Sequence, residues 1–179
     1  MPAHGSLWRL VRPLQEGATA PWLRIYYSLL FDLCRSSENL DAVARTAIDA
    51  SYETFRADVV AVALQDGESW NVLPYRQHGE MRPPLRLPMQ KDPRGPTYEP
   101  GQVVDIPDLE AFAREFPALQ GVVDIGLRSM VVAAFGYRVH ECGYLAFCSA
   151  GSQHYSDDEY TLMCLYALAV GIALDRVFD

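Results

Sequence analysis

Two groups of side chains in this sequence are best suited to hold a ligand: a guanidinium and a set of aromatic rings. Arg128 stands beside Ser129, and a planar guanidinium next to a hydroxyl can take an anionic group through two parallel hydrogen bonds. The competing reading of Arg128 is a surface salt bridge, which contributes little. Tyr75, Tyr98, Phe112 and Phe116 are spaced to line a pocket for a flat molecule, or to serve as plain core. From residue 76 to residue 94 the chain holds Arg76, Arg82, Arg86, Lys91 and Arg94 against Glu80 and Asp92. That local positive surplus reads either as an anion-attracting lid or as a loop kept solvated by its charge.

Catalytic and metal chemistry find less to work with. His140 and Cys142 lie two residues apart, hence on one side of a strand, and offer two metal ligands with nothing to supply the others. His4, His78 and His154 are scattered in loops or tail. There is no Gly-x-Ser-x-Gly, no His-Glu-x-x-His, no Gly-x-Gly-x-x-Gly and no Walker sequence, so neither a nucleophile system nor a glycine phosphate loop is indicated. The four cysteines, Cys34, Cys142, Cys148 and Cys164, sit in apolar segments without paired short spacings. They read as buried reduced thiols, not as a disulfide frame or zinc knuckle.

The elements that position these residues follow from periodicity. Thr19 and Pro21 suit a helix start, and Trp22, Ile25, Tyr26, Leu29, Leu30 and Leu33 follow a helical stripe. A second stripe of Leu23, Tyr27, Phe31 and Cys34 means that this helix needs covering on two sides. Leu40, Val43, Ala44, Ala47, Ile48, Ser51 and Phe55 give a second helix with one apolar face. The period then changes to that of strands. Residues 59–64 are β-rich, Asp66-Gly67 marks a hairpin, and Trp70 to Tyr75 is its return strand. Six of the twelve prolines fall between residues 77 and 100, which keeps that stretch out of a central sheet. Residues 102–106 form a short strand, Pro107-Asp108 opens a helix through Phe112 that Pro117 ends, and a loop runs to Gly126. Two further strands, 129–135 and 144–148, form a second hairpin. Ser156-Asp157-Asp158-Glu159 has the form of a capping box before a helix that runs to the end. The order lacks βαβ alternation, so the class is α+β with an antiparallel sheet.

Size and charge agree with one globular domain. The chain has 179 residues, 50% hydrophobic and 21% charged, and a single core suffices at that length. Residues 1–19 read as a tail or loosely docked arm, and residues 20–179 as the domain. With 15 basic against 23 acidic residues, nucleic acid is disfavoured as a partner, and an anionic membrane on the same ground. The start lacks the pattern of a secretory signal. The longest uncharged stretch, residues 160–174, counts 15 residues, short of the roughly 20 that span a bilayer. A cytoplasmic location is expected.

Several pieces together resemble the GAF family across residues 20–178. They are the paired helices ending in Thr54-Phe55-Arg56-Ala57-Asp58, the Asp66-Gly67 hairpin, and Val103-Val104-Asp105-Ile106 before a short helix. Gly126-Leu127-Arg128-Ser129 is similar to the family's Gly-[hydrophobic]-[Arg/Lys]-Ser strand entry. Gly143-Tyr144-Leu145 is similar to its second strand, and Tyr155-Ser156-Asp157-Asp158-Glu159 to its last helix start. The resemblance implies a six-stranded antiparallel sheet, with N- and C-terminal helices on one face and a loop-and-helix-covered ligand pocket on the other. It places Arg128 and Ser129 where a strand enters that pocket, and Tyr75, Tyr98, Phe112 and Phe116 are the candidate lining. It further implies a homodimer through the terminal helices. The function expected is that of a small-molecule-sensing regulatory domain in a longer bacterial signalling protein, its ligand anionic, such as a nucleotide, and its output a downstream domain or partner. The alternative is a ligand-free scaffold for dimerisation or partner docking. Residues 65–125 contain no cysteine, which speaks against the free methionine-(R)-sulfoxide reductase and bilin-attaching members. The Asn-Lys-Phe-Asp-Glu pattern of cyclic-nucleotide-binding members is absent. No cofactor, haem or metal is required by the sequence, and no catalysis is expected.

Overall fold

The computed structural model describes residues 9–11, 22–35, 39–88, 99–138 and 141–178. In chain order the elements are β1 (Arg9–Val11), α1 (Trp22–Arg35), α2 (Leu40–Phe55), β2 (Val59–Asp66), β3 (Ser69–Val72), β4 (Tyr75–Gln77), β5 (Glu80–Arg82), β6 (Leu85–Pro88), β7 (Val103–Ile106), α3 (Leu109–Glu115), α4 (Gln120–Asp124), β8 (Ser129–Tyr137), β9 (Glu141–Ser149) and α5 (Asp157–Phe178). The class is α+β, as expected, but the described strands make one antiparallel sheet of nine, not six. Their order is β1-β7-β8-β9-β2-β3-β6, with the β4–β5 hairpin hanging from β2.

The surplus strands have local causes. Leu73-Pro74 breaks the return strand expected from Trp70 to Tyr75, because proline has no N–H for the ladder. β3 therefore stops at Val72, and β4 folds back onto the start of β2, Val59↔Gln77. β6 takes the outer edge with Pro88 at its end, a place where a missing donor does no harm. Part of the expected arm pairs with the opposite edge, Leu10↔Val104. The loop expected before Gly126 is instead a 3-10 turn, Pro117–Leu119, followed by α4.

Caps fix the helix starts. Asn39 accepts from the Ala42 N–H, and Asp108 accepts from the Ala111 N–H. At α5 the capping box forms in both directions, with Ser156 N–H donating to Glu159 and Glu159 N–H to the serine oxygen. Thr19 and Pro21, read as the start of α1, lie outside the described residues.

Strand alternation divides the apolar side chains between the two faces. Val60, Val62, Leu64, Val131, Ala133, Phe135, Leu145 and Phe147 turn toward α1, α2 and α5 and join Phe55, Tyr160, Met163 and Val170 in the larger core. Val59, Val104, Ile106, Met130, Val132 and Cys148 turn the other way and are covered by Leu109, Phe112, Val123 and Leu127 of α3, α4 and the segment after them. α5 is apolar and long enough by composition to cross a membrane, yet it lies on β8 as the central helix of the core. It sits so close that a methyl on Gly171 would stand 2.4 Å from the Gly136 carbonyl oxygen. The buried Asp105 of β7 accepts the Tyr160 hydroxyl at 2.9 Å and so ties α5's first turn to the sheet.

Candidate functional site

The face of the sheet away from α1, α2 and α5 divides along its length. At one end, large apolar side chains fill the space under α3 and α4. Phe112 is only 2% exposed there, and its ring stacks on that of Phe116 at 4.4 Å between centroids. Tyr75, half-buried on β4, packs against the same cluster.

Toward the other end the strands carry small residues. Register sets Ala61 opposite Ala146, Ala63 opposite Tyr144, and Tyr144 opposite Ala134. Tyr144 packs with the cluster under α3, so these alanines share its face. Trp70, across from Gln65, leans over β2 to meet Tyr144, with ring centroids 4.4 Å apart and planes tilted by 40°. The result is a run of alanines beside the Trp70–Tyr144 pair, on the same face as the Phe112–Phe116 stack, with Ala61 and Ala134 buried. Ala63, Ala146, Tyr144 and Trp70 are each half-buried. A floor without side-chain bulk, set beside rings, is the geometry that accepts a flat, largely apolar group.

The residues singled out from the sequence are thus only partly brought together. Tyr75, Phe112 and Phe116 share one cluster, with Phe112 spent as core. Tyr98 lies outside the described residues. Arg128 and Ser129 are split by strand alternation. The Arg128 guanidinium donates to the Val123 and Leu127 carbonyls at 2.9 Å each, closing the end of α4. Its N–H donates to Ser149 and its carbonyl accepts from Leu109, so Arg128 joins α3, α4 and β9. Ser129 shares the parity of Val131 and Ala133, on the helix-covered face, and its buried hydroxyl donates to the Gly151 carbonyl at 2.7 Å.

The basic stretch is largely neutralised where it is described. Arg76 meets Asp49 at 2.7 Å, Arg82 meets Glu80 at 3.3 Å, and Arg86 meets Asp66 at 3.2 Å. Lys91 and Arg94 lie outside the described residues, as does His140. None of the four cysteines is in a disulfide, but their burial is uneven. Cys148 and Cys164 are buried, Cys142 is half-buried, and Cys34 is exposed on α1, against the expectation that all are buried. Burial pushes the Cys148 thiol up to about 12, so it stays protonated and unreactive. Among the described residues no group of three or more His, Cys, Asp and Glu could hold a metal ion.

Trp70, Tyr144 and the alanines escaped the reading of motifs because none is a chemical group that draws attention. Their signal is the alternation of residues 59–65 with small side chains at 61 and 63, which acquires meaning only once β9 is set beside β2.

The model of the GAF domain family matches residues 39–174. No curated protein matches. Among solved structures, the phycoerythrobilin-bound GAF domain from a cyanobacterial phytochrome superposes with a TM-score of 0.68 at 14% identity, covering 90% of this chain and 98% of that one. The GAF domain from a phosphoenolpyruvate-protein phosphotransferase of Coxiella burnetii gives 0.62 at 18% identity, covering 85% and 92%. Free methionine-R-sulfoxide reductase from Neisseria meningitidis, in complex with its substrate, gives 0.61 at 15% identity, covering 93% and 98%. At such identities the superpositions speak for the fold.

Proposed function

The chain belongs to the GAF domain family, a mainly regulatory family, and from that premise we propose that it senses a small molecule bound on the sheet face away from α1, α2 and α5. The observation that carries this reading is the run of alanines beside the Trp70–Tyr144 pair, on the face that also carries the Phe112–Phe116 stack. The ligand class it fits is a flat ring system; the described arginines of the basic stretch give it no cationic partner, since Arg76 and Arg86 share the face of Val60 and Leu64 and pair with Asp49 and Asp66. The family also holds a reductase among its structural neighbours. Against such chemistry here stands the absence of cysteine from residues 65–125, and the proposal is a non-enzymatic, cytoplasmic module of a bacterial signalling protein.

Output runs through a homodimer formed by the terminal helices. Tyr27 and Phe31, one helical turn apart on α1, are 67% and 62% exposed, and Ile172 of α5 is 61% exposed. Large apolar side chains are costly to leave in water.

A second reading, a ligand-free dimerisation scaffold, is favoured by one feature: Trp70 and Tyr144 touch each other over Ala63 and partly fill the face themselves. Native mass spectrometry of the purified chain separates the two. The sensing reading expects a dimer carrying a non-covalent small-molecule adduct that mild activation strips; a dimer that shows no adduct, and takes none up from a cell extract, favours the scaffold.

A further inference from the structure

The end of the sheet that carries Trp70 and Tyr144 also carries the β8–β9 hairpin tip, and that tip holds the last turn of α5. Arg138 adopts a left-handed backbone conformation, φ 49°, which aims its N–H at the Asp175 carboxylate, 2.6 Å away. Its guanidinium lies 3.8 Å from the centre of the Phe178 ring and 3.8 Å from Glu141. The neighbouring Tyr137 ring stands 6.0 Å from Phe178. The Tyr137 hydroxyl donates to the Gln65 carbonyl at 2.7 Å, and Gln65 is the cross-strand partner of Trp70. A continuous set of contacts therefore runs from the aromatic pair through Gln65, Tyr137 and Arg138 to Asp175 and Phe178.

We infer that this cluster couples the Trp70–Tyr144 pair to the order of α5's C-terminal turn, so that a ligand displacing Trp70 loosens or tightens that turn. The inference rests on the ligand reading for its biological use, but the coupling itself needs no ligand. Each contact has a physical reason to act as a unit. The Tyr137 hydroxyl is held protonated, mainly by burial and further by the nearby Glu141, and remains a donor. An arginine over a ring is a directional attraction. An aspartate that accepts a backbone N–H from another element fixes two segments at once. The tip is joined to the site through β8 and β9, each nine residues long and paired throughout, so displacement at Tyr144 is carried along a stiff ribbon.

Hydrogen exchange on the full chain, followed by mass spectrometry, tests the coupling. Four variants are compared with wild type: Tyr137→Phe, Arg138→Ala, Trp70→Phe, and Arg45→Ala as a control in an exposed ion pair on α2. Tyr137→Phe is expected to raise exchange both in the β2–β3 turn, residues 66–69, and in α5 residues 174–178, by roughly fivefold, the protection that one ordinary hydrogen bond supplies. Trp70→Phe, at a ring that meets Tyr144 on β9, is expected to raise exchange at 174–178, and Arg45→Ala to leave both segments unchanged. The inference is overturned if residues 174–178 keep wild-type exchange in both Tyr137→Phe and Trp70→Phe. It is equally overturned if exchange rises to the same extent throughout β8, which would mean general destabilisation. Either failure leaves the ligand reading standing, and an adduct-free chain in native mass spectrometry leaves the coupling standing.

Discussion

Gly171 is the residue on which the packing of α5 most depends. A methyl there would meet the Gly136 carbonyl oxygen at 2.4 Å and the Phe135 Cβ at 3.1 Å, and neither atom is the end of a flexible side chain. Gly171→Ala is expected to cost about 1–3 kcal/mol by overpacking, measured as a lower urea midpoint with an unchanged slope. Cys148 offers a test of burial by chemistry. With its thiol raised from 9.0 to about 12, the folded state holds its proton through a window in which the unfolded state releases it. Stability from this group is whole below pH 9 and is lost as pH rises toward 12. In native protein at pH 8, Cys148 is expected to ignore an aromatic disulfide reagent and to react on unfolding; prompt native reaction would contradict its placement. These burial patterns were partly legible beforehand, since apolar flanks pointed to all four cysteines as buried, which holds for Cys148 and Cys164 but not for the exposed Cys34. Ser129 was not, because its parity along β8, and thus its face, depends on where the strand begins. Trp70 was read as a strand residue, and its meeting with Tyr144 requires β2 to lie between β3 and β9, a long-range pairing that local pattern does not encode.

At the scale of elements, helix ends were the most legible features because their signals are local. Asp108 and the Ser156–Glu159 box each cap the helix expected of them, and Asn39 caps α2 as well. Glu159→Ala removes the acceptor of the Ser156 N–H and is expected to lower stability by roughly 1 kcal/mol, seen as a lower melting temperature and faster exchange in α5's first turn. The short elements were hidden. α4 has five residues and no capping side chain, and β4 and β5 have three residues each, so tertiary contacts make them. The Arg76 guanidinium is one such contact, reaching Asp49 of α2 while lying 5.2 Å from the Tyr52 ring centre. Arg76→Ala is expected to release the β4–β5 hairpin, with residues 75–82 exchanging several-fold faster while β8 stays protected. Unchanged protection at 75–82 would show that the hairpin is held by its ladder to β2 alone.

For the whole molecule, the two cores give the sheet unequal faces. One is packed against three helices; the other packs against α3 and α4 at one end and carries alanine toward the other. Class, family and the order of the longer elements were readable from the sequence, whereas the asymmetry that defines the candidate site emerged from register. The proposed dimer puts Tyr27, Phe31 and Ile172 between protomers. Tyr27→Glu with Phe31→Glu is expected to convert a dimer to a monomer in light scattering, and a wild-type monomer at high micromolar concentration would contradict that interface. The central claim is that a ligand occupies the alanine strip. Its most direct measurement is a thermal-shift panel of nucleotides, tetrapyrroles and small organic anions, run in parallel on wild type and Ala146→Leu, which raises the floor. A ligand at a hundred times its dissociation constant adds about 2.7 kcal/mol, a rise of roughly 5–10 °C for a domain of this size. The account predicts such a rise for at least one compound in wild type and its loss in Ala146→Leu. It is contradicted if no compound moves the melting temperature, or if wild type and variant respond alike.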